Sequence, residues 1–181
     1  MRIIAGKHRG ANLLELKYEG TRPTADRVRE ALFSKLQNEM IESTVLDLFA
    51  GTGALGFEAL SRGAKLAYLV DKSKDAYNLI LKNNEKLKEN AVILNLDFKN
   101  ALKKIADEKL KFDIIFIDPP YASSLGEESI KIIADNNLLK ENGTIVFEHN
   151  KDKIGFTLPE GFKIYDEKKY GIVYLTFITN E

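Results

Sequence analysis

Ser43-Thr-Val-Leu-Asp-Leu-Phe-Ala-Gly-Thr-Gly-Ala-Leu-Gly56 is the stretch from which the fold is read. Val45, Leu46, Leu48 and Phe49 form a short apolar run that suits a buried strand. Gly51, Gly53 and Gly56 follow at once, and a helical pattern continues through Leu55, Ala59 and Leu60. Strand, glycine turn and helix make the first unit of an open α/β sheet, in which a nucleotide-like ligand lies over the turn. The glycines alone satisfy G-x-G-x-x-G, so a dinucleotide site has to be weighed. Asp47 argues against it. A carboxylate at the strand end would repel a pyrophosphate, which needs bare N–H groups and a positive helix end. It suits a ligand that carries an ammonium and a sulfonium.

Outward from this stretch, strands and helices alternate. Lys65–Val70 reads as a second buried strand ending at Asp71, with a helix near 73–88. Ala91–Leu96 ends at Asp97 and leads into a helix near 99–107. Phe112–Ile117 is a fourth strand, a helix follows around 126–138, and Thr144–Glu148 is a fifth strand. Repeated β–α units with apolar strands predict a parallel sheet covered on both faces. The C-terminus departs from this rhythm. Phe162–Asp166 and Ile172–Ile178 flank Lys168-Lys169-Tyr170-Gly171 without a helix between, which predicts a hairpin and an antiparallel strand. A nicotinamide-binding domain continues in parallel units, so this ending favours a methyltransferase-like sheet.

Before the first strand, residues 1–17 read as a small hairpin around the basic turn Gly6-Lys7-His8-Arg9-Gly10. So short a hairpin must pack on something else. Thr24 is placed to cap a helix from about Ala25 to Gln37. The expected division is an N-terminal extension over 1–40 and a main domain over 41–181.

The chain has 181 residues, 44% hydrophobic and 30% charged, which describes a single domain with a substantial core. It has neither a bilayer-length apolar run nor a signal-like start, and a cytoplasmic location is expected. With no Cys, disulfides, thiolate metal sites and cysteine nucleophiles are excluded; with only His8 and His149, no metal centre is expected. Net charge is zero, yet five of the six arginines precede residue 30. Arginine offers phosphate or base a planar fork that lysine lacks, so this bias points to nucleic acid. The competing account is a helix with ion pairs, Asp26 meeting Arg29 or Arg22.

Asp47, Asp71, Asp97 and Asp118 each follow an apolar strand, and a parallel sheet brings all such ends to one edge. Four acids on one rim call for a ligand rich in cations and hydroxyls. Asp71 stands 20 residues after Gly51, the spacing of an acid that takes ribose hydroxyls. Asp97 is placed to accept from an adenine amine, and Asp47 to meet an ammonium. All four also fit ordinary turn and cap positions.

Asp118-Pro119-Pro120-Tyr121 is the most specific signal. Two prolines after a buried strand fix the directions of the Asp118 carboxylate and the Pro119 carbonyl. Two fixed acceptors beside a flat ring suit an exocyclic aromatic amine, whose N–H groups they hold while Tyr121 stacks on the base. Methylation of a pyrimidine ring carbon typically needs a cysteine, which is absent. Guanine and adenine amines both fit this geometry.

Together the motifs Arg2–Gly10, Thr21–Phe33, Leu46–Gly56 and Asp118–Tyr121 resemble the RsmD-type small-subunit ribosomal RNA guanine-N2 methyltransferases over the full length. The last two are shared with many amino-methyltransferases; the first two point to the ribosomal RNA family. Asp71 stands where many relatives have Glu. The resemblance implies a Rossmann-like class I methyltransferase fold, a mostly parallel seven-stranded sheet with an antiparallel C-terminal strand, and S-adenosylmethionine as cofactor. It implies ribosomal RNA as partner, within an assembled or partly assembled small subunit. It assigns Asp118, Pro119, Pro120 and Tyr121 to catalysis. Asp47, Phe49, Ala50, Gly51, Gly53, Asp71, Lys72, Asp97, Phe98 and Asp118 fall to the cofactor, and Lys7, Arg9, Arg22, Thr24 and Arg27 to RNA. The alternatives from the residues alone are an adenine-N6 methyltransferase, an NAD-dependent oxidoreductase, and a silent RNA-binding module.

Overall fold

The computed structural model of the chain describes residues 1–15, 23–120, 124–150 and 156–180. Its centre is one seven-stranded sheet in the order β3-β2-β1-β4-β5-β7-β6. The strands are β1 (Thr44–Asp47), β2 (Leu66–Val70), β3 (Val92–Leu94), β4 (Phe112–Ile117), β5 (Leu139–Asn150), β6 (Phe162–Tyr170) and β7 (Val173–Asn180). From β3 to β5 all neighbours are parallel. β7 runs antiparallel between β5 and β6, as the C-terminal hairpin predicts. This is the Rossmann-like methyltransferase sheet expected from the sequence.

Helices cover both faces because the strands alternate two apolar sets. Val45, Ile114, Phe116 and Val146 pack with α1 (Pro23–Lys35), α2 (Gln37–Met40), α3 (Ala54–Ser61) and α4 (Lys74–Leu87). Leu46, Ile115, Ile117 and Phe147 face α5 (Phe98–Asp107) and α6 (Leu125–Asp135). Among the described residues, no helix is long and apolar enough to cross a membrane.

The N-terminal hairpin is narrow, with a single bridge between Arg2 and Asn12. It is held by a helix charge that the sequence does not advertise. Glu58 of α3 is fully buried, and its carboxylate accepts the N–H groups of Ile4 (2.7 Å) and Ala5 (3.0 Å) as well as Arg62 Nε (2.7 Å). Asn83 of α4 accepts from Leu14 N and donates to the Leu14 carbonyl. Ile3 and Leu13 thereby enter the core beneath α1 and α3.

Four boundaries differ from expectation. α1 begins at Pro23, a residue suited to the first helical position, so Thr24 lies inside the first turn rather than capping it. β5 begins five residues early, with an irregularity: Phe112 pairs with Leu139 and Ile114 with Thr144, so residues 140–143 bulge out around Asn142 (φ +59°). α6 stops at Asp135, where Asn136 and the left-handed Asn137 terminate it. The C-terminal turn is only Gly171-Ile172, with Tyr170 paired to Val173; Lys168 and Lys169 belong to β6.

Candidate active site

The carboxyl ends of β1, β2, β3 and β4 open on a cleft of about 410 Å3. Its walls are Leu48, Phe49, Leu96, Phe98, Pro119, Pro120 and Leu125, with Asp71, Lys72, Asp97 and Asp118 supplying charge. Phe49 and Phe98 stand with ring centroids 5.8 Å apart, forming an apolar wall on which a flat ring can lie.

The glycine loop links β1 to α3. Gly51 has φ +56°, a conformation that residues with a side chain rarely adopt. Gly56 allows α3 to press on β2, since a Cβ there would meet Leu69 Cδ2 at 1.9 Å. The loop is tied to the neighbouring strand: Ala50 N donates to the Val70 carbonyl at 2.8 Å, and Gly53 N to Ala50 at 2.7 Å. Asp71 ends β2 and accepts from Gly51 N (2.9 Å) and Ser73 N (2.8 Å). Asn95 donates to the carbonyls of Asp71 and Lys72, joining the β2 end to the β3 end.

The expected rim of four acids is resolved into three at the surface and one beneath. Asp71, Asp97 and Asp118 line the cleft. Asp47 is only 1% exposed and lies under the glycine loop. Its Oδ2 accepts from Gly56 N at 3.3 Å, at the positive end of α3, while Oδ1 is buried without a close hydrogen bond, the Phe49 N–H lying near enough only to favour the charged form weakly. Burial pushes its pKa up to about 7, the Gly56 bond opposes this, and Asp71 nearby raises it further. Asp97 serves as the N-cap of α5, accepting from Lys99 N and Asn100 N and from the Asn100 side chain. These bonds to Asn100 and Lys99 hold its pKa below the usual range. Its expected role toward an adenine amine thus competes with a structural cap.

Asp118 follows β4 directly and is raised well above the usual carboxylate range, first by burial, then by the charges of Glu148 and Asp47. Glu148, near the end of β5, is itself raised by burial. The sequence reading treats Glu148 as a strand residue and misses it. The signal was the one used for the other acids, a carboxylate following an apolar run at a parallel strand's carboxyl end.

Tyr121 and Arg22 lie outside the described residues, and of Thr24 only the backbone is described. Arg9 and Arg27 are exposed and meet across a second cleft of about 290 Å3 between the hairpin and α1, with Arg2, Asp26 and Glu30. Lys7 pairs with Glu89 at 2.7 Å, and His8 Nε2 meets the same oxygen at 2.7 Å. Two arginines are structural. Arg29 is buried, donating to the Arg2 carbonyl (2.6 Å) and to Asp26 (3.1 Å), the ion pair of the competing account. Arg62 pairs with Glu58 and lies 5.1 Å over the Phe33 ring.

The family model described as Conserved hypothetical protein 95 matches residues 1–179. Ribosomal RNA small subunit methyltransferase D of Haemophilus influenzae is 43% identical, over 96% of this chain and 90% of that protein. The protein of the same name from Escherichia coli strain K12 is 38% identical, over 96% of this chain and 86% of its own. The solved structure of Escherichia coli yhhF superposes with a TM-score of 0.89 at 34% identity, covering 100% of this chain and 98% of that one.

Proposed function

This chain belongs to the RsmD family, matched over residues 1–179 by the model for conserved hypothetical protein 95, and on that premise we propose that it methylates the exocyclic N2 amine of a guanine in small-subunit ribosomal RNA. The methyl donor is S-adenosylmethionine. The substrate is an assembled or partly assembled small subunit in the cytoplasm, no metal takes part, and residues 1–40 form the RNA-contacting extension of a catalytic domain over 41–181.

The observation that carries this reading is the stiff Asp118-Pro119-Pro120 turn on the cleft wall, with Asp47 buried beneath the adjoining glycine loop. The residues present fit the donor. Burial and neighbouring carboxylates raise Asp47 and Asp118, and a ligand bearing an ammonium and a sulfonium would favour the ionised state of both. Asp47 with Ala50, Gly51 and Gly53 would hold the amino-acid portion, Asp71 and Lys72 the ribose, and Phe49, Asp97 and Phe98 the adenine. When bound, the donor supplies a methyl on a positively charged sulfur, whose S–C bond breaks toward sulfur as the amine nitrogen's lone pair forms the new C–N bond.

The chain's own contribution is positioning and electrostatics. A guanine amine is a poor nucleophile because its lone pair is delocalised into the ring. Asp118 and the Pro119 carbonyl accept its two N–H groups, drawing the nitrogen toward a tetrahedral shape and localising that pair. Asp118 then takes the proton that leaves nitrogen. Tyr121 stacks the splayed base and excludes water. Arg9, Arg22 and Arg27, with Lys7 and Thr24, grip the RNA around it.

The test is transfer of a tritiated methyl from labelled donor to small subunits lacking the modification, with large subunits and DNA alongside and the product nucleoside identified. The expected product is N2-methylguanosine in small-subunit RNA, lost in Asp118→Ala while binding of S-adenosylhomocysteine is kept. N6-methyladenosine as the product would overturn the choice of base, and absence of transfer would overturn the reading.

A further inference from the structure

We propose that Glu148 reads the ring nitrogen beside the target amine and makes this site select guanine over adenine. This rests on the functional reading above and supplies what the Asp-Pro-Pro turn lacks, because that turn accepts either base's amine.

The placement follows from strand register. β4 and β5 are parallel neighbours in which Ile115 pairs with Ile145, Phe116 with Val146 and Ile117 with Phe147. Asp118 directly follows β4 and Glu148 continues β5, so carrying the register one residue further sets them side by side, at about the 4.8 Å spacing of adjacent strands. Side chains alternate along strands, and Phe116 and Val146 lie in one core. Two residues on, Asp118 and Glu148 therefore share a side of the sheet. Their carboxylates feel each other, for the Glu148 charge is the chief electrostatic influence on Asp118. Burial raises Glu148 as well, and among the described residues no cation offsets it. A half-buried acid placed beside the amine-binding acid, with no counter-charge, is costly for the fold unless a ligand uses it.

The chemistry of the two bases separates them at this point. In guanine the N2 amine is flanked by N1–H, so three hydrogen-bond donors lie along one edge. In adenine the N6 amine is flanked by a bare N1, which is an acceptor. The N1–H of guanine, by donating to Glu148, favours the ionised acid against the effect of burial, and an ionised carboxylate only accepts. With Asp118 on the amine, Glu148 accepts N1–H of guanine but faces the lone pair of adenine N1. Accepting N1–H also pushes electron density through the ring toward N2, which makes the amine a better nucleophile.

The experiment compares wild-type protein with Glu148→Gln, whose side chain has nearly the same shape but presents an amide N–H where the ionised acid only accepts. Substrates are undermethylated small subunits, and subunits in which the nucleotide that the wild type methylates has been changed to adenine. Wild type is expected to prefer guanine strongly. Glu148→Gln should lose about 100-fold in kcat/KM on guanine and shift the guanine-to-adenine ratio by more than about tenfold. Glu148→Asp, which keeps an acceptor, should retain the preference for guanine at reduced rate. Binding of S-adenosylhomocysteine should be unchanged in both variants, which reports intact folding. A ratio unmoved in Glu148→Gln, or both bases slowed equally, would overturn the assignment while leaving the functional reading standing. A wild-type protein that transfers nothing to guanine overturns both.

Discussion

The carboxylate of Asp71 accepts the backbone N–H of Gly51 at 2.9 Å, so the acid proposed to bind ribose also holds the glycine loop in shape. Its other oxygen accepts from Ser73 N at 2.8 Å. Each oxygen has a second lone pair for a ribose hydroxyl, and both jobs are done at once. Asp71→Ala should weaken binding of S-adenosylhomocysteine by about 100-fold, because it loosens the loop and removes the acceptors. Asp71→Asn keeps one acceptor oxygen and should fall between. Calorimetry decides; an alanine variant that binds like wild type would detach Asp71 from the donor.

On the proposed reading, Asp47 trades stability for binding. Its folded pKa of about 7 stands above the usual 3.8, so the unfolded chain gives up this proton first. As pH rises between these values, the group subtracts stability, and above the higher one the loss is complete. Asp47→Asn, which keeps an acceptor for Gly56 N–H, should stabilise the ligand-free protein by about 2 kcal/mol above neutral pH. The same change should abolish detectable donor binding. Denaturant unfolding with and without S-adenosylhomocysteine reads both effects.

Binding of that product should be pH-dependent with a definite sign. An ammonium is attracted to ionised Asp47 and gains nothing from the neutral acid. Affinity should rise with pH through about 7 and level off above it, falling by up to about tenfold per unit below. Titration calorimetry in buffers of different ionisation enthalpy should also show proton release on binding. A flat profile between about pH 6 and about pH 8 would remove Asp47 from the site.

Glu58 anchors the N-terminal hairpin to α3. Glu58→Ala leaves the N–H groups of Ile4 and Ala5 and the Arg62 guanidinium without their acceptor. A loss of about 3–5 kcal/mol in unfolding free energy is expected, with early proteolysis near residues 1–15. Equal stability in urea would show that the hairpin holds by its apolar contacts alone.

Replacing Arg9 and Arg27 together with Ala should weaken binding to small subunits and lower the slope of log affinity against log salt by about 1–2. Donor affinity should not change. If filter binding at several salt concentrations gives an unaltered slope, these exposed arginines touch no phosphate.

The fold was legible because its strands are short apolar runs ended by Asp, and its turns carry glycine or proline. Where local chemistry pointed elsewhere, the reading slipped. The fifth strand was read as beginning at Thr144, yet β5 starts at Leu139 and carries a bulge around Asn142. Lys168 and Lys169 look like loop residues, yet they continue an edge strand. The cleft was legible at Asp71, Asp97 and Asp118, since parallel topology alone brings strand ends together. Asp47 was placed on the correct edge but at the wrong depth, because burial depends on how α3 and its loop close over β1. Glu58 escaped notice because a charged residue within a helix reads as a solvent face, and only the fold shows what it meets. The arginine bias had two origins that composition merges: Arg29 braces the hairpin from within, while Arg9 and Arg27 face outward.

α3 has the glycine loop at its first turn and Glu58 and Ser61 at its last, where Ser61 accepts from His8 N and donates to the Ala5 carbonyl. The helix is therefore a short strut, eight residues long, with the proposed donor site at one tip and the proposed RNA-contacting hairpin at the other. On the proposed reading, a pull on the hairpin by docking RNA would reach the glycine loop through this helix. Capture of the two substrates would in this way be mechanically geared, each arriving more readily once the other is seated.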